Sequence, residues 1–249
     1  ISEKVANMLL TIKTEFLKDE KYSIKLSYST SDNETTTLDL GDLSLENLKD
    51  NLSLFKFNVE NPQLWFPNGY GNPTLYEATI YLYNKESICL DSVKTRFGIR
   101  TIELSQKKDK YGSEFCFIVN GKPIFAKGAN LVPSAMHKER YEGMAKHIDL
   151  VKECNMNMLR VWGGGYYVDE QMYEACDEKG ILIWQDFPFA CALYPATKDY
   201  LAEVEAEARQ NVLRISSHPS LAVWCGNNEI WEGWGNWSWD KEVKDTALA

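Results

Sequence analysis

The feature that most constrains this chain is the alternation of apolar strands and amphipathic helices in its second half. Residues 123–130, 156–162, 181–187 and 221–229 each read as a short strand with almost no polar face. Between them, 138–154 carries Tyr141, Met144, Ile148 and Val151 at helical spacing. The stretch 168–178 turns Met172, Ala175 and Cys176 to one side and stops at Gly180. A longer helix at 200–217 points Leu201, Val204, Ala208, Val212 and Ile215 inward. Strands joined through helices run parallel, and strands without a polar face need cover on both sides. The second half is therefore a parallel α/β unit, either an open doubly wound sheet or part of a barrel. Gly163, Gly164 and Gly165 follow a strand, but no G-x-G-x-x-G spacing runs on into a helix, which disfavours a dinucleotide site.

The first hundred residues have a different period. Segments 8–16, 22–30, 52–59, 75–83 and 88–95 are short, rich in β-branched and aromatic residues, and separated by Ser, Asp, Asn and Gly. Tyr22, Ile24, Leu26 and Tyr28 alternate cleanly with polar residues. This predicts an antiparallel sandwich, and no helical pattern precedes residue 138. A further strand at 115–119 leads into an Asn120-Gly121 hairpin turn.

Charge and rare residues narrow the chemistry. A net charge of −9 with no cluster of Lys and Arg argues against a nucleic-acid binder. Eight Trp and thirteen Tyr suit a neutral ligand, because aromatic faces stack on sugar C–H surfaces. No apolar run approaches the ~18 residues of a membrane span, so none is expected. The chain opens Ile-Ser-Glu-Lys, without a signal-peptide pattern and without Met, so its start is expected to be a cut. Six Cys show no C-x-x-C spacing; Cys116, Cys154, Cys176 and Cys225 lie in apolar segments and are expected to be buried free thiols. Three His lack metal-like spacing, so neither a metal nor an organic cofactor is implied.

In parallel α/β folds the functional side chains stand at the C-terminal ends of the strands. Those ends hold Asn130, then Arg160 and Trp162, then Trp184, Gln185 and Asp186, then Asn227, Asn228 and Glu229. Carboxylates, amides and Trp are what a sugar-processing site needs: an acid for the leaving oxygen, amides for hydroxyls, an aromatic platform. Arg160 shares a strand face with Met158 and Trp162 and points inward, where it requires an acidic partner. Plainer readings stand beside these. Asp186 can cap the next segment, Trp162 can fill the core, and Asp169 reads as a first-turn helix acid. Glu232 and Trp237 lie in a Gly/Trp-rich stretch that fits either a loop over the site or a chain end.

Several motifs together resemble the β-mannosidase branch of glycoside hydrolase family 2. They are Asn-Pro-Gln-Leu-Trp-Phe-Pro-Asn-Gly-Tyr-Gly-Asn-Pro-Thr-Leu-Tyr at 61–76, Phe-Gly-Ile-Arg-Thr-Ile-Glu at 97–103, and Phe-Ile-Val-Asn-Gly-Lys-Pro-Ile-Phe-Ala-Lys-Gly-Ala-Asn at 117–130. Leu-Arg-Val-Trp-Gly-Gly-Gly at 159–165, Trp-Gln-Asp-Phe at 184–187 and Trp-Cys-Gly-Asn-Asn-Glu at 224–229 complete them. The resemblance implies an immunoglobulin-like β-sandwich at 1–103, then the first four β/α units of a TIM (β/α)₈ barrel at 104–249. It implies a retaining exo-hydrolase acting on terminal β-linked mannose of oligosaccharides or glycans, with Glu229 as general acid/base. Asn228 would bond the sugar 2-hydroxyl, Arg160 the nucleophile, while Trp162 and Trp237 would be aromatic walls. Asp186 and Asn130 join them as substrate-binding candidates, and Leu131 stands where the family leads one to expect Trp. Trp224 and Trp231 are expected to crowd Glu229 and, with a neighbouring carboxylate, to raise its pKa.

The same resemblance places the nucleophile on strand seven, beyond these residues, and a jelly-roll domain before them. The chain is thus expected to be an internal fragment, inactive alone, with half-barrel edges open to dimerisation. Alternatives within the family are a β-galactosidase or β-glucuronidase; outside it, a non-catalytic carbohydrate-binding relative. The compartment stays open between periplasm, if bacterial, and lysosome, if animal; sequons at Asn33, Asn51 and Asn236 do not decide it.

Overall fold

The computed structural model describes residues 4–14, 21–30, 32, 34–43, 52–132 and 147–242. They divide into two compact units, one of Ile1–Trp65 with Thr74–Thr101, the other of Phe66–Pro73 with Ile102–Ala249.

The first unit is a two-layer antiparallel sandwich. One sheet pairs β1 (Val5–Lys13) with β4 (Leu52–Glu60); the other runs β3 (Thr36–Leu43), β2 (Tyr22–Ser29), β5 (Tyr76–Asn84), β6 (Cys89–Phe97). The alternation read in β2 is real: Tyr22, Ile24, Leu26 and Tyr28 are all buried. Leu26, Tyr28, Tyr76 and Ala78 meet Ala6 and Val59 of the facing sheet. Tyr76 stacks on Phe97 at 4.9 Å, and its hydroxyl accepts from the Gln63 amide at 2.8 Å. Strand β3 has no counterpart among the strands expected from the sequence. Its period is broken at Gly41, where a register shift, a φ of 91° and an Asp39 carboxylate bonded to the Gly41 amide form a bulge.

The second unit opens with a three-stranded antiparallel sheet of β7 (Ile102–Ser105), β8 (Cys116–Val119) and β9 (Lys122–Ile124). The β8–β9 turn is Asn120-Gly121, both at positive φ as a type I′ hairpin requires. Four parallel strands follow in the order β10 (Gly128–Leu131), β11 (Met158–Val161), β12 (Leu182–Asp186), β13 (Leu221–Cys225). The strand expected at 123–130 is thus two strands of different sheets. Buried Asn157 bridges the break: its Nδ2 donates to Phe125 O at 3.1 Å and its Oδ1 accepts from Lys127 N at 2.8 Å. Gly128 is obligatory at the crossing, since a Cβ there would lie 1.7 Å from Met158 O.

Helices α1 (Ile148–Glu153), α2 (Glu170–Lys179) and α3 (Lys198–Ile215) alternate with these strands. The earlier part of the helix expected at 138–154, with Tyr141 and Met144, lies outside the described residues. Asp169 is the N-cap of α2, accepting from Met172 N, and Gly180 closes it in the left-handed conformation. The main core joins Leu159, Val161 and Ile183 to Met172, Tyr173, Cys176 and Ile215. On α3, Ile215 is buried, whereas Leu201, expected inward, is 52% exposed because its side faces an open groove.

The segment Phe66–Pro73 packs with the second unit. Asn68 N donates to Gly180 O at 2.7 Å and Asn68 Nδ2 to Met156 O at 2.9 Å. All six Cys are free thiols, but the expected burial holds for Cys176 alone of the four. Cys154 is exposed at the C-cap of a short helix, and Cys116 and Cys225 are half-buried.

A buried clamp fixes the chain leading into β13. His218 Nδ1 lies 2.6 Å from Asp177 Oδ2 and its Nε2 2.8 Å from Glu170 Oε1, while Ser220 N donates to Asp177 Oδ1. Burial alone lowers the His218 pKa, but hydrogen bonds and charges of Asp177 and Glu170 outweigh it, and the net shift is upward from 6.5. The protonated clamp therefore stabilises the fold fully below the unfolded pKa of about 6.5 and is lost as pH rises through the raised folded value. Urea titrations should show a stability gap between the wild-type chain and His218→Gln that is widest near pH 5.5 and narrows toward alkaline pH. A gap independent of pH would contradict the clamp.

Candidate active site

The two faces of the parallel sheet carry opposite chemistry. Register pairs Asn130 with Arg160 and Arg160 with Trp184 across β10, β11 and β12. Asp186 lies two residues beyond Trp184, so these four side chains share a face. Leu159, Val161 and Ile183 turn the other way into the helix-covered core. Gln185 turns with them, accepting from Tyr173 Oη at 2.6 Å and donating to Asp186 O at 2.8 Å.

Asp186 is the hub. It is 2% exposed and takes four donors, two on each oxygen. Arg160 Nε at 3.2 Å and Trp184 Nε1 at 3.0 Å reach Oδ1; Arg160 Nη2 at 2.6 Å and Gly163 N at 3.0 Å reach Oδ2. Bidentate pairing fixes the guanidinium plane as a single contact would not. The remaining guanidinium bonds run outward, Nη2 to Asn228 Oδ1 at 2.8 Å and Nη1 to Asn130 Oδ1 at 3.4 Å. A cavity of about 210 Å³ beside Asn130, Arg160, Gly128 and Met158 opens on this face. The glycine run serves the same hub. A Cβ on Gly163 would stand 2.7 Å from Phe187 O, and one on Gly164 would meet the Trp162 ring at 1.9 Å.

Beyond Asp186 the chain does not leave the sheet. Phe187 N donates to Cys225 O, Asn228 N to Phe189 O, and Cys191 N to Asn228 O, so 187–191 runs beside the end of β13. This bridge sets the last group. Asn228, 6% exposed, donates from Nδ2 to Glu229 Oε2 at 3.0 Å and to Cys191 Sγ at 3.3 Å. The Cys191 thiol donates to Glu229 Oε2 at 3.1 Å. Glu229 precedes helix α4 (Ile230–Asn236) yet makes no side-chain cap; Asn227 Oδ1 accepts from Ile230 N instead, leaving the Glu229 carboxyl for other work. Both Cys191 (φ 46°) and Glu229 (φ 62°) hold left-handed backbone, an uncommon state for residues with a Cβ.

Of the residues singled out from the sequence, Arg160, Asp186, Asn130, Asn228 and Glu229 form one connected network. Trp162 lies against Gly164 just after β11, outside the bonds of that network. Trp237 meets Trp239 edge-on at 5.5 Å, and its described contacts do not reach the network. Leu131 packs on the apolar core rather than beside Asn130. The crowding expected around Glu229 is absent: Trp231 is 79% exposed and lines an apolar groove with Leu193, Leu201 and Trp234, while Trp224 stacks on Phe187. Cys191 and Gly163 were missed, because their roles arise from a parallel bridge and a backbone amide that no local pattern announces.

The described residues contain no helix long and apolar enough to cross a membrane. The family model for Glycosyl hydrolases family 2 matches residues 1–100, and that for its TIM barrel domain matches 113–237. The chain is 45% identical over 191 residues to "Beta-mannosidase B" of Aspergillus flavus and 43% over 190 to that of Emericella nidulans. Each alignment covers 74% of this chain and 22% of the relative, so the chain spans about a fifth of their length. Among solved structures it is similar to the β-D-mannosidase of Dictyoglomus thermophilum, with TM-score 0.80, 34% identity, all of this chain and 31% of that one. A Bacteroides uniformis β-glucuronidase shares the fold, with TM-score 0.71 at 21% identity over all of this chain and 28% of that one.

Removing one member of a buried pair strands the other, so Arg160→Met and Asp186→Leu should each cost about 3 kcal/mol. The double variant should lose clearly less than the sum. Additive losses in urea denaturation would show that the two side chains do not act as a unit.

Proposed function

The chain belongs to glycosyl hydrolases family 2, and on that premise we propose that it carries the acid/base half of a retaining β-mannosidase site. The observation that supports this best is the network itself: one buried carboxylate fixes an Arg, the Arg fixes an amide, and the amide holds Glu229. In this reading Glu229 protonates the glycosidic oxygen as the bond breaks and then takes a proton from water in the second step. Asn228 spends both Nδ2 hydrogens on Glu229 and Cys191 and one Oδ1 lone pair on Arg160. Its second Oδ1 lone pair is what it offers the 2-hydroxyl, where mannose differs from glucose. Asn130 borders the cavity beside Arg160 and can bond a further hydroxyl there. Asp186, with all four acceptor positions filled, acts through Arg160 rather than on the sugar.

Retaining hydrolysis also needs an ionised carboxylate about 5–5.5 Å from the acid. Asp186 is committed to four donors and does not serve. We therefore infer that the 249-residue chain alone has no turnover and that the whole protein completes the site. Mannose is favoured by the 45% identity to β-mannosidase B and the 34% identity to the β-D-mannosidase of Dictyoglomus thermophilum.

The experiment is a panel of aryl β-mannoside, β-galactoside and β-glucuronide on the whole protein, with Glu229→Gln alongside. Mannoside turnover should fall by about 10²–10⁴ in the variant, the usual worth of a positioned acid/base. Turnover of another sugar would move the specificity and keep the mechanism. No turnover of any, with sugar binding retained, would favour a carbohydrate-binding relative.

A further inference from the structure

Glu229 has a neighbour that neither its strand nor its helix supplies. Cys191 arrives from the segment after β12, brought there by its amide bond to Asn228 O at 3.1 Å and by the parallel bridge of Ala190 to Asn228. Tyr194 Oη closes the segment, accepting from Ala190 N at 2.8 Å. Three atoms then form a triangle: Asn228 Nδ2, Cys191 Sγ and Glu229 Oε2, with sides of 3.0 to 3.3 Å. Two features mark the triangle as built. Cys191 and Glu229 both sit in left-handed backbone, and Asn228 is buried and held from behind by the Arg160–Asp186 pair.

Resting on the reading of Glu229 as acid/base, we propose that Cys191 is a positioning residue that tethers one oxygen of that carboxyl. The thiol and the Asn228 amide both donate to Oε2. A carboxylic acid whose one oxygen accepts two hydrogen bonds carries its proton on the other. The tether thus assigns Oε1 as the atom that gives the proton to the glycosidic oxygen. It also stops the carboxyl from rotating between turnovers. When Glu229 is ionised the thiol still keeps its own proton: the hydrogen bond to Glu229, then burial and the Glu229 charge, push its pKa above the usual thiol value, against the Asn228 bond. Cys191 is accordingly a donor here and not a nucleophile.

The test is a leaving-group comparison on the whole protein. A poor leaving group needs the acid, whereas a dinitrophenyl group departs without it. Cys191→Ala should lower kcat/KM for an alkyl β-mannoside about tenfold and leave the dinitrophenyl β-mannoside within twofold, as loss of one charge-assisted hydrogen bond predicts. Cys191→Ser, which keeps a donor, should restore most of the loss. Equal losses on both substrates, or none on either, would overturn the proposal, because a structural role does not sort substrates by leaving group. A second readout needs no glycoside: peptide-resolved alkylation by iodoacetamide at pH 8. With Glu229→Gln the acceptor charge is gone, and Cys191 should react several-fold faster while Cys89 and Cys154 are unchanged. Unchanged reactivity at Cys191 would refute the contact itself. Faster alkylation in a protein that cleaves no β-glycoside would remove the acid/base reading, and this proposal with it, while the contact stood.

Discussion

The Asp186 carboxylate, buried with four donors, is the interaction on which the rest of the site depends. A charge in that position is tolerable only if every lone pair is filled. Filling them dictates much of what surrounds it: an Arg on the adjacent strand, an indole two residues back, and a backbone amide at Gly163 where no side chain fits. The guanidinium that completes the set is held in one plane and passes its orientation to Asn228 and, through it, to Glu229. The order of the outer groups is inherited from a group with no lone pair left for a ligand.

The sheet makes this possible by dividing labour between its faces. Its helix side is closed with Leu, Val, Ile and Met, which supplies rigidity. The other side gathers amide, guanidinium, indole and carboxylate at the strand ends. The crossings that bring the strands together depend on absent side chains, at Gly128 against Met158 and at Gly163 against Phe187. Asn157 completes the frame by lending its side chain to the backbone where an antiparallel sheet gives way to a parallel one.

Much of this was legible in the residues. The four parallel strands, the Asn120-Gly121 turn, the Gly180 stop and the strand-end positions of Arg160, Asp186, Asn228 and Glu229 follow from periodicity and turn chemistry. What escaped reading depends on contacts distant in sequence. The bulge at Gly41 hid a strand, and Asn157 split another. Leu201 had the helical spacing of a core residue but faces a groove. Trp231 sits two residues from Glu229 yet points into that groove rather than toward the carboxyl. Cys191 reads as any cysteine until the chain beyond β12 is seen to follow β13.

The left-handed backbone at Cys191 and Glu229 has an evolutionary edge. Glycine adopts that conformation without the steric cost a Cβ incurs. Local backbone energy therefore pulls both positions toward glycine, against the hydrogen bonds that both side chains accept from the buried Asn228 amide. A redesign of this sequence for local backbone ease alone would erase these two side chains among its first choices, and would delete the carboxyl and its tether together.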